Sequence, residues 1–305
     1  MMITFTICVT TYNRWYLCLK ALESVCEQEG VSFEVILVDD CSTDPMPQEA
    51  AKFIEARHIR YIRHEHNKGL AVARNTAIEH ARGEYFSFCD DDDQWPRGHA
   101  AGLVRAMQEG SSEVGMAVGL PKTRKAACNK ILNGQPKLSN LFLEGVTPPV
   151  GSQIYKTELI KKVGGYNSDV RSGVDHDLWV NLIELNPRVS VSWGNPVIVG
   201  SDPTRDRMTT NEEFRRNGYQ EALEIWRPKL VTALGEGFYR HFCYSYDLIH
   251  DYKFFVQAVR KKEYTKAIYK ASSLNVLKIL PNKLYQTISG RKKCNYFPAY
   301  NSNTI

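Results

Sequence analysis

Four carboxylates stand in succession at Asp90-Asp91-Asp92-Asp93, directly after the aromatic-rich segment Gly83 to Cys89. That segment reads as a strand, and Gln94-Trp95-Pro96 closes the acidic run behind it. Neighbouring carboxylates repel one another and raise one another's pKa, a strain that a bound cation relieves. Hard divalent ions such as Mg²⁺ and Mn²⁺ take oxygens from one or two carboxylates and complete their shell with phosphate and water. Ligands of open α/β sheets also gather beyond the carboxyl ends of strands. The run therefore points to a metal–diphosphate site, with a solvated acidic turn as the plainer alternative.

Two other stretches carry chemistry. Asp175-His176-Asp177 precedes a helix expected over Asp177 to Leu185, in which Leu178, Leu182 and Leu185 share a face. Acidic residues there also suit a helix cap and its dipole. Ser201 to Thr210 is a polar loop holding Arg205 and Arg207. Arginine pairs well with phosphate, so the loop suits closure over a diphosphate as well as it suits a solvated connector.

The elements that must position these residues alternate. Strands are expected over Thr4 to Thr10, Phe33 to Val38, Ile59 to Ile62 and Gly83 to Cys89. Between them come helices over Trp15 to Gln28, Pro47 to Ala56 and Leu70 to Ala81. Further strands are expected over Val114 to Gly119, Val150 to Tyr155, Val189 to Ser192 and Val197 to Val199, with helices at Leu141 to Leu143 and Thr157 to Val163. Phe33 to Val38 is almost continuously apolar, as in a strand buried on both faces. Such alternation predicts a parallel sheet built by right-handed crossovers. Helices are then expected over Phe214 to Trp226, Phe238 to Arg260 and Tyr264 to Leu280, punctuated by Pro228 and Pro281. Neither GxGxxG nor GxxxxGK[ST] follows a strand, so side chains and metal must hold any nucleotide.

Bulk properties bound the class. With 305 residues, 43% hydrophobic and 24% charged, the chain is a globular protein of one large domain plus an appendage. Its formal charge of +5 is uneven: from Gly237 onward 12 Lys and Arg face 3 Asp and Glu, whereas the remainder carries 27 against 31. A basic tail suits an anionic surface such as a membrane face. No run of 18 apolar residues and no secretory signal are seen, so a cytoplasmic protein resting on the inner face of the cytoplasmic membrane is expected. The eight cysteines lack CxxC pairing and are expected as free, mostly buried thiols.

In order and spacing, Cys8-Val9-Thr10-Thr11-Tyr12-Asn13-Arg14, Val38-Asp39-Asp40-Cys41-Ser42-Thr43-Asp44, Asn67-Lys68-Gly69 with Ala73-Arg74-Asn75, Gly83-Glu84-Tyr85 and Asp90 to Trp95 resemble the family 2 inverting glycosyltransferases. The resemblance spans about residues 4 to 210. It implies the GT-A fold, a mixed and mainly parallel Rossmann-like α/β sheet flanked by helices. On this reading residues 1–110 form the nucleotide-sugar half, 111–212 the acceptor half and 213–305 a basic helical extension. It further implies a UDP-sugar donor, Mn²⁺ or Mg²⁺, and a saccharide or lipid-linked saccharide acceptor in surface polysaccharide or lipopolysaccharide synthesis. Asp92 would ligate the metal, with Asp90 or Asp91 reaching metal, ribose or sugar. Tyr12 would lie against the base, Thr10 would help bind the donor, Asp40 would bond the uracil, and Arg74 would reach the phosphate or sugar. Asp175 falls on the catalytic base of the family's Glu-Asp pair, although Val174 replaces the Glu. The Gln-x-x-Arg-Trp motif of processive synthases is missing, which favours transfer of one sugar.

Taken singly, Asp40 suits a turn and Arg74 a surface helix; only the ensemble makes a site. A nucleotidylyltransferase would carry a Gly-rich basic loop after the first strand, and Thr10 to Asn13 lacks it. A nucleic-acid-binding protein using the basic tail is the non-enzymatic alternative; no motif supports it, and no nucleic acid is expected.

Overall fold

The computed structural model describes residues 4–110, 113–121, 134–143, 148–200, 212–244 and 246. Its centre is a seven-stranded sheet in the order β3-β2-β1-β4-β6-β5-β7. The strands are β1 (Phe5–Thr11), β2 (Phe33–Asp39), β3 (Arg60–Arg63), β4 (Tyr85–Asp90), β5 (Val114–Leu120), β6 (Gln153–Lys156) and β7 (Arg188–Trp193). All neighbouring pairs run parallel except those of β6, which is antiparallel to both β4 and β5. The expected mixed, mainly parallel sheet is thus observed.

Alternation along the strands fills two cores. Phe5, Ile7 and Val9 of β1 face the side covered by α1 (Trp15–Cys26), α2 (Gln48–Ala56) and α4 (His99–Gln108). Cys8, Ile36, Phe86 and Phe88 face α3 (Leu70–His80) and the later helices, α5 (Leu138–Leu143), α6 (Thr157–Lys162), α7 (Val174–Glu184) and α8 (Glu212–Leu234). The period of two in the pleat makes this division.

Three expectations change. Val150 to Ser152 form a 3₁₀ turn, not strand, because Ser152 N–H turns back to the Pro149 carbonyl at 2.8 Å. Val197 to Val199 join no strand; Ile198 alone pairs with Gln94 and braces the acidic turn. Pro228 does not end a helix: α8 runs through it. Trp226 and Leu230, on either side, are buried in the same core, each contributing roughly 1.5–3 kcal/mol. Together these outweigh one missing backbone donor. Residues 236–244 are again helical, and most of the expected tail beyond them, like Arg205 and Arg207, lies outside the described residues.

Among the described residues the six cysteines, Cys8, Cys18, Cys26, Cys41, Cys89 and Cys243, form no disulfide. Among the described residues no helix is long and apolar enough to cross a membrane.

Candidate active site

The strand order reverses at β1: the chain proceeds outward to β2 and β3, then returns to place β4 on the other side. Crevices form at such reversals, beyond the carboxyl ends of the strands. Register brings Thr10 opposite Asp90 and Thr11 opposite Asp39 at that end. Thr10 and the start of the acidic run therefore share one edge, with Tyr12 beside them and 44% exposed.

The four carboxylates divide by direction. Asp91 and Asp93 are buried, whereas Asp90 and Asp92 are partly open. Asp91 accepts from Thr11 Oγ1 at 2.9 Å and from two nitrogens of Arg14. Burial pushes its carboxyl up to about 6, against the pull of Arg14 and Thr11. Asp93 accepts the Gly200 N–H at 3.1 Å and so ties the 197–200 segment to the turn. Asp92 Oδ2 lies 3.3 Å from Arg14 Nη1. Alternate carboxylates thus anchor the turn and face the crevice.

Arg74 is the largest departure from expectation. Its side chain, 2% exposed, packs between the rings of Phe88 and Tyr166, with its guanidinium carbon 5.2 and 5.0 Å from their centroids. Nη2 donates to Asp90 Oδ1 and Nη1 to Asp175 Oδ1, both at 2.8 Å. Nε is buried without a partner among the described residues. One cation therefore joins the acidic run to the second acidic stretch. Burial raises the Asp175 pKa; Arg74 opposes that rise and the Asp90 charge adds to it. Asp175 lies inside α7, which begins at Val174, three residues earlier than expected, because Gly173 takes a positive φ of 80° and turns the chain into the helix.

Asp40 is enclosed. His64 Nδ1 lies 2.7 Å from its Oδ1, while the backbone N–H groups of Lys68 and Gly69 donate to Oδ1 at 2.9 Å and Oδ2 at 2.7 Å. His64 Nε2 is also 2.9 Å from Thr76 Oγ1 on α3. Asp40 thereby holds the Asn67-Lys68-Gly69 turn, and His64 holds Asp40. Sequence reasoning assigned no role to His64, Arg14 or Tyr166. Arg14 stood inside the Thr10 to Arg14 motif; a lone histidine after an edge strand gave no such signal.

Among the described residues no three carboxylate, imidazole or thiolate groups gather as a metal cage. Asp90 and Asp92, with side chains 33% and 11% exposed, are the carboxylates of the run that suit a Mg²⁺-like ion drawing its remaining ligands from a diphosphate and water. Their hard oxygen donors suit Mg²⁺ and Mn²⁺ alike.

Comparisons with known proteins agree with this architecture. Residues 6–134 match the model described as glycosyl transferase family 2. Over 91 residues the chain is 40% identical to the putative colanic acid biosynthesis glycosyl transferase WcaA of Escherichia coli strain K12. That match covers 30% of this chain and about a third (33%) of the relative's length. The solved S. aureus TarS 1-349 in complex with UDP-GlcNAc superposes with a TM-score of 0.62 at 20% identity, covering 88% of this chain and 79% of that one. The mannosyltransferase PcManGT from Pyrobaculum calidifontis, in complex with GDP-Man and Mn²⁺, gives 0.54 at 19% identity, covering 93% and 83%. Residues 6–134 thus match glycosyl transferase family 2, and the sheet order, with its acidic turn at the strand ends, is that of the GT-A fold shared with these solved structures.

Proposed function

We propose that the chain is an inverting, metal-dependent glycosyltransferase that moves one sugar from a UDP-sugar to a saccharide or lipid-linked saccharide during surface polysaccharide or lipopolysaccharide synthesis. The observation that carries this reading is the Asp90–Arg74–Asp175 bridge, with 2.8 Å on each side of one guanidinium. Inversion needs a carboxylate on the face of the sugar opposite the leaving diphosphate. Asp175 supplies that base, and general-base catalysis of this kind is worth ~10²–10⁴-fold in rate. Asp90 and Asp92 would hold Mn²⁺ or Mg²⁺ on the other side. A divalent ion, when bound, offsets the charge growing on the departing UDP.

The remaining residues bind and orient. Tyr12, exposed beside Thr10, offers a ring to the base. The Asp40 carboxylate accepts three protein bonds of about four its oxygens can take, leaving capacity for one N–H of uracil. Arg74, buried with its fork on Asp90 and Asp175, is proposed to act on the donor's phosphate or sugar through those carboxylates, and Arg205 and Arg207 are proposed to close on the diphosphate. The ligands in the TarS and PcManGT complexes support a nucleotide-sugar donor and a divalent ion, and WcaA's name supports a polysaccharide product. The basic residues after Gly237 suit an anionic membrane bearing a lipid-linked acceptor.

Calorimetry of UDP binding with and without Mn²⁺, on wild type and Asp92→Ala, tests the donor assignment. Metal-dependent binding that Asp92→Ala abolishes is expected, and a panel of UDP-sugars then names the sugar. Failure of UDP to bind with any metal would overturn the reading.

A further inference from the structure

We propose that α8, which lies beyond the matched residues 6–134, belongs to the catalytic apparatus: Trp226 and Tyr219 are positioning residues that hold the turn bearing Asp175. The inference rests on Asp175 serving as the base.

The first turn of α7 sends three consecutive side chains to three places. Asp175 reaches Arg74. His176 Nδ1 lies 2.9 Å from the Tyr219 hydroxyl. Asp177, buried, accepts Trp226 Nε1–H at 2.7 Å and Asn181 Nδ2–H at 3.1 Å. Two of the three are therefore held from α8. A buried carboxylate is costly unless its oxygens are satisfied, so the Asp177–Trp226 bond fixes the rotation of the turn about the helix axis. Rotation of that turn would carry Asp175 away from Arg74.

Backbone packing makes the same junction close. A Cβ built on Gly173, at the start of α7, would fall 2.9 Å from the Tyr219 ring and 3.2 Å from that of Trp226. A Cβ on Gly218 of α8 would fall 2.9 Å from Ser172 Cβ and 3.3 Å from Arg171 Cβ. Each element thus presents a glycine where the other comes nearest, and residues 171–173 and 218–219 interlock. The rings of Tyr219 and Trp226 meet edge to face at 5.4 Å, and Phe142 of α5 approaches Trp226 at 5.7 Å. The junction is a packed aromatic block. Arg74 holds the Asp175 carboxylate from the sheet side, while α8 holds its backbone from the opposite side.

The test uses the full chain with Trp226→Phe, which keeps a ring and removes the N–H, and the milder Tyr219→Phe. Hydrogen exchange, UDP calorimetry and release of UDP from the sugar donor found by the panel are read together. Expected are faster exchange confined to peptides covering 171–178 and a kcat lowered about ten- to a hundred-fold, as small misplacements of catalytic groups produce. UDP affinity and donor KM should stay as in wild type. Unchanged exchange and kcat in both variants would overturn the proposal. So would faster exchange throughout the chain with matching loss of UDP affinity, the mark of a merely structural role. A wild-type protein that binds no UDP and turns over no nucleotide sugar would sink the proposed function instead; the exchange result would then alone decide whether α8 holds the turn.

Discussion

Arg74 Nη1 on α3 donates to Asp175 Oδ1 on α7 at 2.8 Å, although 101 positions separate them in the chain. The same guanidinium holds Asp90, so the two halves of the proposed chemistry share one counter-charge. Arg74→Met leaves two carboxylates facing one another. Removing one partner of a fully buried pair costs several kcal/mol, but Asp90 and Asp175 are 33% and 39% exposed. Solvent screening brings the expected loss to about 1–3 kcal/mol by chemical denaturation, with turnover lost. Arg74→Lys keeps the charge without the fork and should restore stability more than activity. Equal recovery of both would contradict the bridge's role.

Asp175→Asn tests the base directly. The amide still accepts a hydrogen bond from Arg74 but no longer takes a proton, so kcat should fall by ~10²–10⁴. UDP affinity should be unchanged. A parallel loss of UDP binding would place Asp175 on the donor rather than on the acceptor.

His64 is expected to matter through Asp40. In His64→Ala the buried Asp40 carboxylate keeps the Lys68 and Gly69 amides but loses its third donor, at a cost of about 1–3 kcal/mol. Weaker UDP binding should accompany the lower stability, because the Asn67-Lys68-Gly69 turn and Asp40 move together. Denaturation and calorimetry on one preparation read both; unaltered UDP affinity would detach Asp40 from the donor.

The environment of His176 makes stability pH-dependent. Burial among Phe142, Tyr219 and Trp226 lowers its pKa to about 4 from the usual 6.5 of a histidine. The unfolded chain therefore takes up this proton first, so the stabilisation is present above about pH 6.5 and is lost as pH falls toward 4. Asp91, raised to about 6, works in the opposite sense: its contribution is present at low pH and lost as pH rises through 6. Comparison with His176→Gln isolates the histidine. Between pH 7 and 5 the wild-type melting temperature should fall more steeply than that of the variant; parallel slopes would refute the assignment.

Much of the fold was legible in the chain itself. Strands β1, β2 and β4 announce themselves through apolar and β-branched runs, and their polar ends mark where the crevice lies, because these signals are local and periodic. The acidic run pointed by composition to a metal–diphosphate site, with a solvated acidic turn as the plainer alternative. Tertiary structure decided what that run does residue by residue. Asp91 and Asp93 turn inward to Arg14 and Gly200, while Asp90 and Asp92 face the crevice, a division that depends on partners up to 107 positions away. It also decided that β6 runs against its neighbours, that α7 begins early enough to include Asp175, and that α8 continues through Pro228. Local propensity places a break at a proline and a cap before Asp177. Burial of Trp226 and Leu230 and the junction with Gly173 override both, because packing free energy is gathered from contacts far apart in sequence. Arg74 shows the division best: on the helix it reads as a surface cation, and only the sheet order brings Asp90 and Asp175 to its two nitrogens.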